Sequence, residues 1–252
     1  MTDIIICGAN GRMGRMIYEC VKDREDCRIV AGIDTYTEQY ADFPVVATPA
    51  ELTVKGDVII DFSNPASLDG LIKYGTSTGT PVVFATTGYS EEQIAKIKAA
   101  SEKFAVFFSW NMSMGINLLV ELSKKAAAFL GEQFDIEIVE KHHNQKLDAP
   151  SGTALMLANG INETFDNEKQ YVYDRHSQRK KREKKEIGIH AVRGGTIVGE
   201  HEIIFAGKDE VITLSHSAAS RSVFAVGSVN AAVFIKGKDA GMYDMSDVIK
   251  AL

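Results

Sequence analysis

Asp3-Ile4-Ile5-Ile6-Cys7-Gly8-Ala9-Asn10-Gly11-Arg12-Met13-Gly14 is a short apolar run closed by three glycines, and Arg15-Met16-Ile17-Tyr18-Glu19-Cys20-Val21 continues it with apolar residues at helical spacing. The pattern predicts strand, tight turn and helix. Such a turn lets the backbone approach a pyrophosphate and aims the first N–H groups of the helix at it. The glycines are spaced GxxGxxG rather than the GxGxxG of the common dinucleotide fingerprint, so the turn gains its meaning from the strand downstream of it.

That second strand, Arg28-Ile29-Val30-Ala31-Gly32-Ile33, ends at Asp34, twenty residues after Gly14. An acid at that position accepts hydrogen bonds from an adenosine ribose. Gly8, Asn10, Gly11, Arg12, Met13 and Asp34 are therefore the candidate residues for one end of a dinucleotide. Thr35 and Tyr36 offer no cation for a 2′-phosphate, which favours NADH over NADPH, although Arg12 stands near enough in sequence to serve NADPH.

Working outward, Asp57–Phe62, Pro81–Ala85 and Ala105–Ser109 are further apolar strands, the first two followed by helices expected from Pro65 and from about Ser90. Apolar strands alternating with amphipathic helices predict an α/β fold of Rossmann type, a doubly wound parallel sheet covered on both faces. Ligands on such sheets sit beyond the carboxyl ends of the strands. The loops Phe62-Ser63-Asn64, Ala85-Thr86-Thr87-Gly88 and Ser109-Trp110-Asn111-Met112-Ser113 are thus expected to line the nicotinamide end. Ala85, Thr86, Thr87, Ser109, Trp110, Asn111 and Met112 are its candidate contacts.

A helix over Gly115–Leu130 leads to a second, α+β domain with a mixed sheet. The expected boundaries are 1–113 with 222–252 for dinucleotide binding and 114–221 for substrate binding and oligomerisation. Phe134, Ile136 and Ile138 alternate with Asp135 and Glu137 as in a half-buried strand. Then comes Glu140-Lys141-His142-His143-Asn144-Gln145-Lys146-Leu147-Asp148-Ala149-Pro150-Ser151-Gly152-Thr153-Ala154-Leu155. Ser151 or Thr153 is a plausible helix cap, and a helix start binds carboxylates through its N–H groups and dipole. Lys146 adds a positive charge, and a histidine exchanges protons near neutral pH. The stretch reads as an anion pocket with proton-transfer groups. Three more strand-like runs, 187–193, 197–205 and 211–217, are joined by Gly194-Gly195 and Gly207-Lys208-Asp209, which suggests hairpins. With the strand before His142 they predict a mixed sheet of about four strands, large enough to serve as an assembly surface, and a homo-oligomer is expected.

Composition narrows the functional classes. A net charge of -6 argues against a nucleic-acid protein overall, although residues 175–185 hold seven Lys or Arg against one Glu. No apolar run is long enough to span a bilayer. Cys7, Cys20 and Cys27 form no CxxC pair and cannot all pair with one another, and a strand begins directly after Met1, so a reduced, cytoplasmic chain is expected. Adjacent histidines followed by an aspartate raise the question of zinc, but no HExxH helix or cysteine pair completes a site, and no metal is expected.

The stretch from Glu140 to Ala154 resembles the E-x-H-H-x-x-K-x-D-A-P-S-G-T-A signature of the 4-hydroxy-tetrahydrodipicolinate reductase (dihydrodipicolinate reductase) family of lysine and diaminopimelate synthesis. The likeness extends through Gly8–Arg15, Ala85–Gly88, Asn111–Asn117, Val198–His201 and Ser220–Ala225, and so covers both domains. It implies an enzyme that transfers hydride from NADH or NADPH to a cyclic dicarboxylate. In that resemblance His142 matches the proton donor or acceptor and Lys146 a second proton donor, while His143, Ser151, Gly152 and Thr153 match substrate-binding positions. Three positions depart from the family pattern: Ala85 where glycine is usual, Met112 where phenylalanine is common, and Asn64 where arginine often stands. Two other readings are another two-domain dehydrogenase, such as an aspartate or diaminopimelate dehydrogenase, and a non-catalytic dinucleotide sensor that uses its basic segment to hold a partner.

Overall fold

A computed structural model describes residues 1–251. The chain divides into two compact units, Met1–Met114 together with the chain from Ser222 onward, and Gly115–Arg221. In chain order, β1 (Thr2–Cys7), α1 (Arg12–Val21), β2 (Cys27–Ile33), β3 (Val45–Val46), β4 (Val58–Asp61), α2 (Leu68–Thr78), β5 (Val82–Phe84), α3 (Glu91–Ala100) and β6 (Ala105–Phe108) belong to the first unit. The second holds most of α4 (Met114–Leu130), then β7 (Asp135–His142), α5 (Gly152–Glu163), β8 (Gln170–Val172), β9 (Glu186–Arg193), β10 (Gly199–Ala206) and β11 (Val211–Ala218). The chain then returns to the first with α6 (Ser222–Ile235), β12 (Gly241–Tyr243) and α7 (Met245–Lys250).

The sheet of the first unit has the order β12-β6-β5-β4-β1-β2-β3, and its pairings are parallel. Side chains alternate between the faces of a strand. Ile4, Ile6, Val58, Ile60 and Phe107 accordingly pack on one side with Ile17 of α1, Val229 of α6 and Val248 of α7. Ile5, Ile59, Val82, Phe84 and Val106 pack on the other with Leu71 of α2 and Ile97 of α3. Both faces are covered, which is why β1 and β4 read as unbroken apolar runs. The helix expected from Pro65 starts later: Pro65–Ser67 is a 3-10 turn capped by Asn64, whose side chain accepts from the Ala66 N–H, and α2 begins at Leu68. Ser90 is the N-cap of α3, in a reciprocal capping box with Gln93.

The second unit is a five-stranded mixed sheet, β11-β10-β7-β9-β8, one strand more than the sequence suggested because Gln170–Val172 pairs with β9. Burial alternates along β7 and β10. Ile136, Ile138, Ile203 and Phe205 face a core shared with Leu119 of α4 and Leu157 and Ile161 of α5. The expected hairpin through Gly207-Lys208-Asp209 is present, with β10 and β11 antiparallel. The one through Gly194-Gly195 is not. β7 lies between β9 and β10, parallel to the former and antiparallel to the latter. The glycines form an arch over the end of β7 instead: the Gly194 N–H donates to the His142 carbonyl at 2.9 Å and the Asn144 N–H to the Gly195 carbonyl at 3.2 Å. Glycine permits a chain reversal in either case and does not say which strand will be the neighbour.

The basic segment folds back on its own unit. Arg175 donates to Glu137 at 2.7 Å and to Glu186 at 2.6 Å. Arg182 reaches Glu137 at 2.9 Å and Asp135 at 3.0 Å, and Lys184 lies 3.3 Å from Asp135. These cations cover the acids that alternation places on the outer face of β7.

Candidate functional site

In the first unit the turn between β1 and α1 is held by close backbone contacts. Gly8 has φ +83°, a conformation that L side chains rarely adopt, and its N–H donates to the Ile33 carbonyl at 2.8 Å. A Cβ on Gly14 would stand 2.2 Å from the Gly8 carbonyl oxygen. Gly14→Ala is therefore expected to destabilise the protein by about 1–3 kcal/mol through overpacking and to weaken dinucleotide binding. A urea-unfolding midpoint and a nucleotide titration both unchanged would refute this.

Gly11 is the N-cap of α1 and supplies no side-chain cap, so no side chain covers the N–H groups of the first turn. Asp34, at the end of β2, accepts from the Asn10 N–H at 2.9 Å and from the Tyr36 N–H at 3.1 Å. Asn10 in turn donates to the Tyr36 and Glu38 carbonyls at 2.6 and 2.9 Å. Arg12 is exposed and Met13 packs partly against the core. Arg15, not singled out in the sequence, donates to Asn10 Oδ1 at 2.8 Å and lies 4.0 Å over the Tyr40 ring. A glycine turn without a side-chain cap, next to an acid at the end of β2, fits a dinucleotide.

The strand-end loops expected at the nicotinamide end do converge. Phe62, Ala85, Thr86, Thr87, Gly88, Ser109, Trp110, Asn111 and Met112 line one cavity of about 400 Å³, joined by Tyr89, Phe108 and Phe224. Ser63 and Asn64 do not line it. Beneath it, Asp61 is fully buried and accepts from Tyr89 Oη at 2.8 Å. Burial raises its pKa against the pull of hydrogen bonds from Ser63, Tyr89 and Thr86. Sequence reasoning missed Asp61, because a carboxylate ending an apolar strand carries no motif of its own.

In the second unit β7 runs to His142, so this histidine is the last residue of the strand and not the first after it. It is 8% exposed, and its Nδ1 lies 2.6 Å from Glu140 Oε2. His143 is half-buried. Lys146 Nζ is 2.8 Å from Asp148 Oδ1. That bond, assisted by the Gly152 N–H, holds the Asp148 carboxyl below its usual range. Ser151 is the N-cap of α5: its Oγ accepts from the Ala154 N–H at 3.1 Å, and the residue is 2% exposed. Gly152 is exposed and Thr153 half-buried in the first turn. The unit thus carries an imidazole, an ammonium group and a helix start within a dozen residues, and the ammonium group pairs with the Asp148 carboxylate. Among the described residues no group of three or more His, Cys, Asp or Glu is placed to hold a metal, and no helix is long and apolar enough to cross a membrane.

Three residues in this unit escaped sequence reasoning. Arg193 forms a two-pronged pair with Glu140 at 2.7 Å for each prong, and His201 Nε2 lies 3.0 Å from Ser151 Oγ. Glu140 and His201 both stood in quoted motifs, and Arg193 in a strand-like run, without a role.

Residues 2–112 match the family model described as "Dihydrodipicolinate reductase, N-terminus" and residues 115–249 the one described as "Dihydrodipicolinate reductase, C-terminus". The chain is 50% identical over 251 residues to 4-hydroxy-tetrahydrodipicolinate reductase of Clostridium novyi, covering 100% of this chain and 99% of that protein. It is 50% identical over 250 residues to the enzyme of the same name from Caldanaerobacter subterraneus, with 99% of each covered. Among solved structures, a dipicolinate-bound dihydrodipicolinate reductase from Paenisporosarcina sp. TG-14 superposes with a TM-score of 0.79 at 28% identity, covering 97% of both chains. With both units matched and the relatives covered end to end, the chain belongs to the dihydrodipicolinate reductase family, the pyridine-nucleotide-dependent reductases of 4-hydroxy-tetrahydrodipicolinate in lysine biosynthesis.

Proposed function

We propose that this chain reduces 4-hydroxy-tetrahydrodipicolinate to tetrahydrodipicolinate with NADH in preference to NADPH, using His142 and Lys146 for proton transfer. A bound reduced nicotinamide supplies the hydride that arrives at C4 of the substrate. The turn residues Gly8, Asn10, Gly11, Arg12 and Met13, with Asp34, hold the adenosine and pyrophosphate end, and the cavity between Ala85 and Met112 takes the nicotinamide. The units 1–113 with 222–252 and 114–221 divide cofactor and substrate binding between them.

The observation that carries the reading is the second unit's cluster. A dicarboxylate needs cations and N–H donors, and Lys146, His143 and the start of α5 at Ser151, Gly152 and Thr153 supply both. Lys146 already holds a carboxylate, that of Asp148. Departure of the hydroxyl as water requires a proton, which an imidazole or ammonium group delivers. Ala85 and Met112, the two departures that line the nicotinamide cavity, change its shape and remove no proton donor.

The preference for NADH rests on Asp34, which would meet a 2′-phosphate with like charge. The test is oxidation of NADH and of NADPH, in parallel, with freshly generated substrate, and with aspartate and diaminopimelate as controls. Oxidation that depends on the dicarboxylate and is faster with NADH is expected; no oxidation from folded, nucleotide-binding protein would sink the assignment. We further propose a cytoplasmic homotetramer, on the support of three free cysteines and of Val192, Val211 and Ile212 exposed on the second sheet. Light scattering would read the subunit number, and a monomer would refute it.

A further inference from the structure

Proton transfer by His142 leaves unexplained a charge buried beside it. Glu140 is 0% exposed and shares the inner face of β7 with Ile136 and Ile138. A carboxylate in such a place costs several kcal/mol unless its oxygens are satisfied, and here each receives two partners. Oε2 meets His142 Nδ1 at 2.6 Å and Arg193 Nη1 at 2.7 Å. Oε1 meets Arg193 Nη2 at 2.7 Å and the Ser151 N–H at 2.9 Å. Burial opposes the charged form, but the hydrogen bonds from Arg193, His142 and Ser151 prevail and keep the carboxyl below its ordinary range. Arg193 also donates to the Asp148 carbonyl at 2.6 Å, which anchors the loop that carries Lys146.

The remaining surroundings of His142 fit the same design. Its Nε2 lies against Gly199, where a Cβ would approach within 3.1 Å. The His201 ring stands edge-on to it, centroids 5.2 Å apart. Burial, with repulsion from His142 next, drives the His201 pKa down to about 4, so this ring is neutral at neutral pH. Its Nδ1 is buried without a partner among the described residues, whereas its Nε2 faces Ser151 Oγ. An unpartnered lone pair costs less than an unpartnered N–H, so the proton belongs on Nε2, donated to Ser151. The charged and titratable groups around His142 are thus Glu140 on its own strand, Arg193 of β9 and His201 of β10. Lys146 and His216 of β11 lie within electrostatic range of His201.

We propose that Glu140, fixed as an anion by Arg193, is the positioning residue of this site: it keeps the proton of neutral His142 on Nδ1, frees Nε2 for proton transfer, and through the Ser151 N–H ties that imidazole to the start of α5. The argument rests on the reading of His142 as the proton-transfer group. An ionised carboxylate only accepts, so the neutral ring facing it must donate from Nδ1. A glutamine there can turn its NH2 group towards Nδ1 and select the other tautomer.

Glu140→Gln is expected to lower kcat by roughly 10- to 100-fold, the usual effect of losing a group that orients a functional histidine, with KM for the dicarboxylate changing far less. Nitrogen-15 histidine spectra of the wild-type protein should show the Nδ1–H tautomer at His142. The double variant Glu140→Gln/Arg193→Gln removes both buried charges and guards against a single variant that does not fold. Its melting temperature should recover towards wild type while kcat stays low. A kcat within twofold of wild type in either folded variant, or an Nε2–H tautomer in the wild type, overturns the proposal. If His142→Gln turns over normally, the reading of His142 itself has failed. If His142→Gln is slow and Glu140→Gln fast, only the positioning role falls.

Discussion

Replacing His142 with alanine is expected to lower kcat by roughly 100- to 10,000-fold, the range that a positioned acid or base contributes, while KM for the dicarboxylate moves little. The reason is the division of labour around the ring. Nδ1 is committed to Glu140, so on the proposed role Nε2 meets the substrate, and the imidazole acts mainly when the proton moves and adds little to ground-state binding. The side chain is small and at the end of a strand, and its removal leaves Arg193 still paired with Glu140. Steady-state kinetics with saturating NADH, beside an unchanged NADH titration, make the check. An alanine variant with wild-type turnover would end the proton-transfer assignment.

Lys146→Ala is expected to damage both constants. A hydrogen bond to a charged group contributes about 1.5–3 kcal/mol, and 1.4 kcal/mol is tenfold, so KM should rise roughly 10- to 100-fold. A fall in kcat joins it if the ammonium group also supplies a proton. Asp148 sharpens this expectation. Its carboxylate sits 2.8 Å from Lys146 Nζ, so on the proposed role a substrate carboxylate would compete with Asp148 for the ammonium group. Lys146→Arg should retain most of the binding, since charge survives, and lose turnover through altered geometry. Equal loss of kcat alone in Lys146→Ala, with KM unmoved, would show that the residue does not hold the carboxylate.

How far the sequence could be read depended on whether the relevant neighbours were close in the chain. The glycine turn, Asp34 and the strand-end loops were legible because a βαβ unit places them by local pattern and by one topological rule. The return of the chain from 222 was expected, but not that Phe224 of α6 would line the cavity, since no local pattern points its ring there. In the second unit the alternation that turns Ile136 and Ile138 inward also turns Glu140 inward. Its charge disguised this, because an acid at such a position is expected outside. Arg193 and His201 escaped because their place beside Glu140 and Ser151 follows from β7 lying between β9 and β10. That order reverses the simpler hairpin suggested by Gly194-Gly195. The basic segment was legible as a charge run, but not as a cover for Asp135 and Glu137, which two of its three arginines, Arg175 and Arg182, contact.

The placement of β7 in the middle of its sheet has a consequence for how this unit opens and closes. A central strand is pinned by backbone ladders on both sides, so its amides are released only when the sheet itself comes apart, while the segment from Asn144 to Ala149 lies outside any helix or strand and opens at lower cost. His142 and Glu140 belong to the slowest-opening part of the unit, whereas Lys146 stands on a loop tied to it by the bond from Arg193 to the Asp148 carbonyl. On the proposed roles the imidazole is in effect a fixed post, and the ammonium group, at the end of a flexible side chain, is the part that adjusts to an arriving anion.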